Sequence, residues 1–136
     1  MWDIRAGQRQ QVISVHESTV TSLAFAPAAS GAPHLLSTSR DGCCHIIDLR
    51  TFLPVQTLSH PRFRPVSDTV RSCFSPDGVF VAAGDGDGTV TIWRSAGGSV
   101  ASQLETHKSA VLCCAWNPTG ANLATCDSAG RLAFHA

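Results

Sequence analysis

The feature that most constrains this chain is that it repeats itself. The segments Ser22-Leu23-Ala24-Phe25-Ala26-Pro27, Ser72-Cys73-Phe74-Ser75-Pro76-Asp77-Gly78 and Cys114-Ala115-Trp116-Asn117-Pro118-Thr119-Gly120 share one design: a short apolar stretch, an aromatic, then a Pro turn. Their aromatics, Phe25, Phe74 and Trp116, stand 49 and 42 residues apart. A second ladder runs through Trp2, Ile47, Trp93 and His135 at separations of 45, 46 and 42 residues. Self-similarity at such a spacing marks an array of supersecondary units, each of which needs a neighbour to bury its apolar face.

Every period divides into four short apolar runs separated by turn residues, and none carries a long helical periodicity, so the units are β-sheets. The pattern predicts strands near 10–15, 20–26, 34–39 and 44–49 in the first unit and near 54–59, 69–74, 79–84 and 89–94 in the second. In the third they fall near 100–105, 110–116, 122–126 and 131–135. The units span about 9–49, 54–94 and 100–135 of a single region, 1–136. Pro76-Asp77-Gly78 reads as a tight turn, because Pro presets φ and Gly accepts a positive one. Arg40-Asp41-Gly42 and Gly86-Asp87-Gly88 supply turns before the last strands of their units.

Composition narrows what such an array does. Ten basic and ten acidic residues cancel, so no net field draws the chain to nucleic acid or anionic lipid. Apolar stretches such as Ala110 to Trp116 fall far short of the 18 or more residues a membrane span needs. The opening Met1-Trp2-Asp3-Ile4-Arg5 lacks the pattern of a secretory signal, which makes the cytosol the expected compartment, with any membrane contact peripheral and through partners. The six cysteines include two adjacent pairs, Cys43-Cys44 and Cys113-Cys114, and are expected as reduced, partly buried thiols.

No catalytic or cofactor chemistry emerges from the motifs. Cys43-Cys44-His45 offers metal-ligand residue types, but neighbours on a strand point to opposite faces and cannot share one ion. No Gly-x-Ser-x-Gly elbow is present. Gly84-Asp85-Gly86-Asp87-Gly88 resembles a phosphate cradle, yet it joins two strands and no helix follows to aim its amides at an anion. The expectation is a non-enzyme without metal or cofactor.

The pattern resembles the WD-repeat β-propellers, in which a His before the first repeat strand, a Ser or Thr, a turn Asp and a Trp form a structural hydrogen-bond network. His16 and His107 each stand nine residues before their aromatics. Ser37 and Asp41 match the hydroxyl and Asp in the first repeat, with Ile47 in place of Trp. Asp87 and Trp93 match in the second, where Ala83 lacks the hydroxyl and His60 lies 14 residues before Phe74. Thr125 matches in the third, where Ala129 and His135 stand at the Asp and Trp positions. No repeat is expected to complete the network. The resemblance implies an all-β fold: three four-stranded antiparallel blades, a segment of a seven-bladed ring. Trp2-Asp3 then reads as the tail of an earlier blade, with N-terminal blades lost, and open edge strands are expected to self-associate.

A closer resemblance rests on Leu35 to Gly42 with Ile47-Asp48-Leu49-Arg50-Thr51, and on Ser67-Asp68, Phe74 to Gly78, Val81 to Gly84 and Ile92-Trp93. These runs are similar to the autophagy-related 16-like propeller family, which also lacks Trp after its Ile-Asp-Leu-Arg strand. The resemblance implies an adaptor that helps recruit the machinery lipidating a ubiquitin-like autophagy modifier, with the autophagy conjugation complex as partner. A scaffold for another assembly, a ubiquitin ligase receptor or a trafficking complex, is the alternative. The loop His60 to Asp68 is Pro-stiffened and basic, and Arg62, Phe63 and Arg64 are residue types enriched at interaction hot spots. Phe63 either stands exposed or tucks against a blade. Phe63-Arg64-Pro65 lacks the second Arg of the Phe-Arg-Arg-Gly run in phosphoinositide-binding propellers. Arg40, Arg62, Phe63, Arg64, Asp85 and Lys108 are expected to share one rim that docks a protein partner.

Overall fold

A computed structural model describes residues 2–9 and 11–136. Short apolar stretches punctuated by Gly and Pro give β-strands throughout, with one 3-10 turn at Ala28–Ser30 among the described residues. The first large sheet runs β3 (Val20–Phe25), β4 (His34–Ser39), β5 (Cys43–Asp48), β6 (Leu53–Ser59), all antiparallel. The second runs β7 (Cys73–Phe74), β8 (Phe80–Gly84), β9 (Thr89–Arg94), β10 (Val100–Glu105). The third has three strands, β11 (Val111–Trp116), β12 (Leu123–Asp127) and β13 (Leu132–His135). A hairpin of β1 (Trp2–Asp3) and β2 (Gln8–Arg9) precedes them.

These sheets are offset by one strand from the repeats read in the sequence. The stretch that opens the second repeat, β6, pairs with β5 and closes the first sheet, and β10 closes the second in the same way. Short turns carry each chain segment directly to its antiparallel neighbour, so hydrogen bonding groups the strands differently from the repeating motif. The third sheet accordingly has three strands, because 100–105 belongs to the second.

Two expected strands change. Residue 10 lies outside the described residues and 11–15 form no strand, since the two-residue β1 offers a ladder only to Gln8 and Arg9. The stretch 69–74 shrinks to Cys73–Phe74 because its preceding N–H groups are taken by other sheets. Arg71 N–H donates to the Leu112 carbonyl (2.8 Å), and Ser72 N–H donates to the Ser22 hydroxyl (3.2 Å). The Ser72 hydroxyl also bonds Thr38 Oγ1 at 2.5 Å, so a buried hydroxyl cluster ties the first sheet to the second.

Alternation along the strands builds the core in two layers. Leu36, Cys44, Ile46 and Leu58 of the first sheet meet Val81, Ala83 and Trp93 of the second. Ala82, Val90 and Ile92 on the opposite face of the second meet Val111, Cys114 and Leu123 of the third. Consecutive residues Ala82 and Ala83 are thus fully buried in opposite directions, as expected for a sheet covered on both faces. Glycine permits the closest approach: a Cβ on Gly84 would collide with Val111, and one on Gly88 with the His107 backbone.

Candidate partner-binding face

The turns before β5, β9 and β13 each carry a polar corner. In the first, His16 Nδ1–H donates to Asp41 Oδ2 (2.9 Å), because a carboxylate only accepts, and His16 Nε2 then accepts from the Ser37 hydroxyl (2.8 Å). Burial pushes the Asp41 carboxyl up, but the backbone N–H of Glu17, the His16 ring and the N–H of Cys43 outweigh it and hold it below the ordinary value.

The third corner is closed by residues the motif did not single out. His107 Nδ1–H donates to Asp127 Oδ2 (3.0 Å), the Thr125 hydroxyl donates to His107 Nε2 (2.8 Å), and His135 Nε2–H donates to Thr125 Oγ1 (3.1 Å). Asp127 also accepts the N–H groups of Ala129 and Arg131, and the Arg131 bond leads in holding its carboxyl low. The expectation of an unfinished network is corrected here: Asp127, two residues after Thr125, does the work assigned by spacing to position 129. Its signal was present, since Asp85 stands two residues after Ala83 in the same turn.

The second corner lacks its histidine. Pro65, which stands nine residues before Phe74 as His16 and His107 stand before their aromatics, is buried, and Ala83 offers no hydroxyl. Asp87 and Trp93 therefore make no such network, contrary to expectation: Asp87 accepts from Thr89 N–H and Arg62, and Trp93 Nε1–H donates to the Ser59 carbonyl at 3.3 Å. Asp85 is 1% exposed and belongs inside the corner, where the sequence reading put it on the rim. Its Oδ1 accepts Asp87 N–H (2.9 Å), while Oδ2 has no hydrogen-bond partner among the described residues. Burial, together with the facing Asp87 carboxyl, pushes Asp85 up to about 7. Asp85 thus keeps its proton into that range, while Asp87 beside it is held well below the usual carboxylate range.

Phe63 also leaves the rim. It is 1% exposed and meets Trp93 edge to face, with ring centroids 5.0 Å apart. Truncating a ring in such a place costs about 3–5 kcal/mol, so Phe63 anchors the loop instead of reaching for a partner. The flanking guanidiniums stay outside. Arg62 pairs with Glu105 (3.2 Å) and Asp87 (3.4 Å) on the second sheet, and Arg40 pairs with Asp68 (3.2 Å). Arg64 and Lys108 are exposed and form no ion pair among the described residues. Arg40 and Arg64 share a hollow of about 620 Å³ with Asp41, His60 and Pro61, between the first sheet's turn and the loop. Lys108 lies apart, beyond the second turn, where His107 N–H meets the Gly88 carbonyl.

Burial pushes the thiols of Cys43, Cys44, Cys73, Cys113 and Cys114 up, away from the reactive thiolate. Cys44 lies in the first core layer and Cys43 on the other face, and burial pushes the Cys44 and Cys73 thiols up to about 12.

Three stacked antiparallel sheets, the first and third with a His corner at matching turns and all three with aromatics 42 to 49 residues apart, match the family model "WD domain, G-beta repeat" over residues 7–48, 53–94 and 98–133. The chain belongs to this WD-repeat family. Among individual relatives, this WD-repeat chain is 35% identical over 130 residues, 96% of its length, to Autophagy-related protein 16 of Arabidopsis thaliana. It is 36% identical over 121 residues to Protein tipD of Dictyostelium discoideum, and 35% identical over 123 residues to Protein Atg16l2 of Homo sapiens, covering 86% and 90% of its length. It spans only 25%, 19% and 19% of those relatives. No helix among the described residues is long and apolar enough to cross a membrane.

Proposed function

We propose that this WD-repeat chain is a non-catalytic protein-interaction scaffold, the adaptor part of an autophagy-related 16-like protein that supports recruitment of the machinery lipidating a ubiquitin-like autophagy modifier. Support for the pathway comes from the names of the relatives it resembles over most of its length. Support for the docking role comes from one observation: the open hollow holding Arg40 and Arg64, with Arg64 unpaired among the described residues. An unpaired guanidinium beside an open polar hollow suits a partner segment that brings a carboxylate or backbone carbonyls.

The test is retention of the autophagy conjugation complex by immobilised chain, comparing wild type with Arg40→Ala/Arg64→Ala. Retention should fall by roughly tenfold, the size expected for losing charged contacts at an interface centre, with the melting curve unmoved. Undiminished retention would remove the hollow from the docking role, and absence of retention by wild type would remove the conjugation complex as partner.

A further inference from the structure

The turn between β8 and β9 is fastened to the loop that carries Arg64. Gly86 N–H donates to the Arg64 carbonyl (3.2 Å), and Val66 lies against Gly86 so closely that a Cβ there would collide with it. Asp87 holds the Arg62 guanidinium at 3.4 Å. One turn thus grips the loop on both sides of Phe63, whose ring is fixed against Trp93. All of these contacts lie within the second sheet and the loop that enters it.

The same turn contains a buried acid. The Asp85 backbone is committed, its N–H donating to the Thr89 carbonyl and its carbonyl accepting Val111 N–H. Its side-chain Oδ1 accepts Asp87 N–H, and Oδ2 has no hydrogen-bond partner among the described residues. A carboxylate buried with one oxygen undonated is costly, and the Asp87 carboxyl adds repulsion, so the closed turn favours the neutral acid. The other charged and titratable groups around the turn do not relieve it. Arg62 is shared between Asp87 and Glu105, His107 is bonded to Asp127 and Thr125, His60 meets Gln103, and Lys108 is exposed.

We propose that this turn is a proton-operated latch on the docking loop: with Asp85 neutral it pins the stretch from Arg62 to Val66 and holds Arg64 beside Arg40, and ionisation of Asp85 opens the turn and frees Arg64 from the hollow. The proposal rests on the reading of that hollow as the docking site. Gly86 stands between the two carboxyls, so the peptide that moves when they part is the one bonded to Arg64. The folded value of about 7 for Asp85 puts the change near neutrality. An opened turn returns the side chain to water and its value toward 3.8, so the closed turn holds a proton that the open one releases. Closure is therefore strongest below 3.8, weakens as pH rises, and levels off above about 7. Opening becomes about tenfold more favourable between about pH 6 and about pH 8.

Amide hydrogen exchange reads the latch without any partner. Corrected for the intrinsic pH dependence of exchange, protection of Gly86 N–H in wild type should fall about tenfold from about pH 6 to about pH 8. Asp85→Asn, which stays neutral, should hold that protection constant. Gly130 N–H, in the third sheet's turn on the Asp127 carbonyl, should hold constant in both proteins. Retention of the autophagy conjugation complex should fall with Gly86 protection, by up to about tenfold in wild type and not in Asp85→Asn. Gly86 protection that ignores pH in wild type, or that falls equally in the variant, overturns the latch. Protection that titrates while retention stays constant overturns control of docking by the turn. Protection that titrates with no retention at either pH overturns the docking reading and leaves the latch standing.

Discussion

The second and third sheets carry the same turn with opposite electrostatic outcomes. Both place an Asp two residues beyond the end of the inner hydroxyl position, and both Asp side chains accept the N–H two residues on. In the third corner a buried His and Thr complete a relay, so Asp127 is held as a carboxylate. In the second, Pro65 and Ala83 replace them, and Asp85 is left facing Asp87 with its proton retained up to about 7. A buried carboxylate is thus tolerated by two routes: a donor side chain, or its own proton. The first corner lies between, with His16 and Asp41 paired but Asp41 partly exposed.

Removing the donor should break the contrast. His107→Ala leaves Thr125 and Asp127 buried without the ring, turning the third corner into a version of the second. A fall in melting temperature on the order of 10 °C is expected by circular dichroism, since unpaired buried polar groups are among the costlier defects. A shift within error would mean that the relay is not what stabilises the turn.

The next effect concerns pH. Asp85 has its folded pKa raised from 3.8 to about 7, so the folded state holds a proton that the unfolded state releases in between. Its contribution is therefore greatest below 3.8 and is lost as pH rises through about 7. Asp85→Asn keeps the acceptor and supplies a permanent donor toward Asp87. Urea unfolding should show a gain of roughly 2 kcal/mol at about pH 8 that fades toward pH 4. A gain independent of pH would contradict the retained proton.

The smallest effect sharpens the scale. His16→Ala should lower the melting temperature by about half as much as His107→Ala, because water reaches the Asp41 it leaves behind. Equal losses in the two variants would show that exposure of the corner does not set its cost.

The repeating aromatic and Pro turn made the sheets and their number readable, because period-2 burial leaves a direct trace in sequence. His16, Ser37 and Asp41 were readable for the same reason: their spacing places them on one turn. Asp127 was missed although Asp85 stands at the same offset from Ala83, since a one-dimensional offset from Thr125 does not say which of two turn positions points inward. Phe63 and Asp85 went astray through residue type, as an aromatic or a carboxylate in a loop gives no sign of whether a neighbouring sheet closes over it.

By itself, then, the sequence determined the β architecture, the family and the positions of the turns, because these depend on local periodicity and chain punctuation. Only the tertiary structure decided the assignment of β6 and β10 to the preceding sheets and the burial of Phe63 against Trp93. Each depends on which surface a segment meets across the stack, and that is settled by packing between residues distant along the chain.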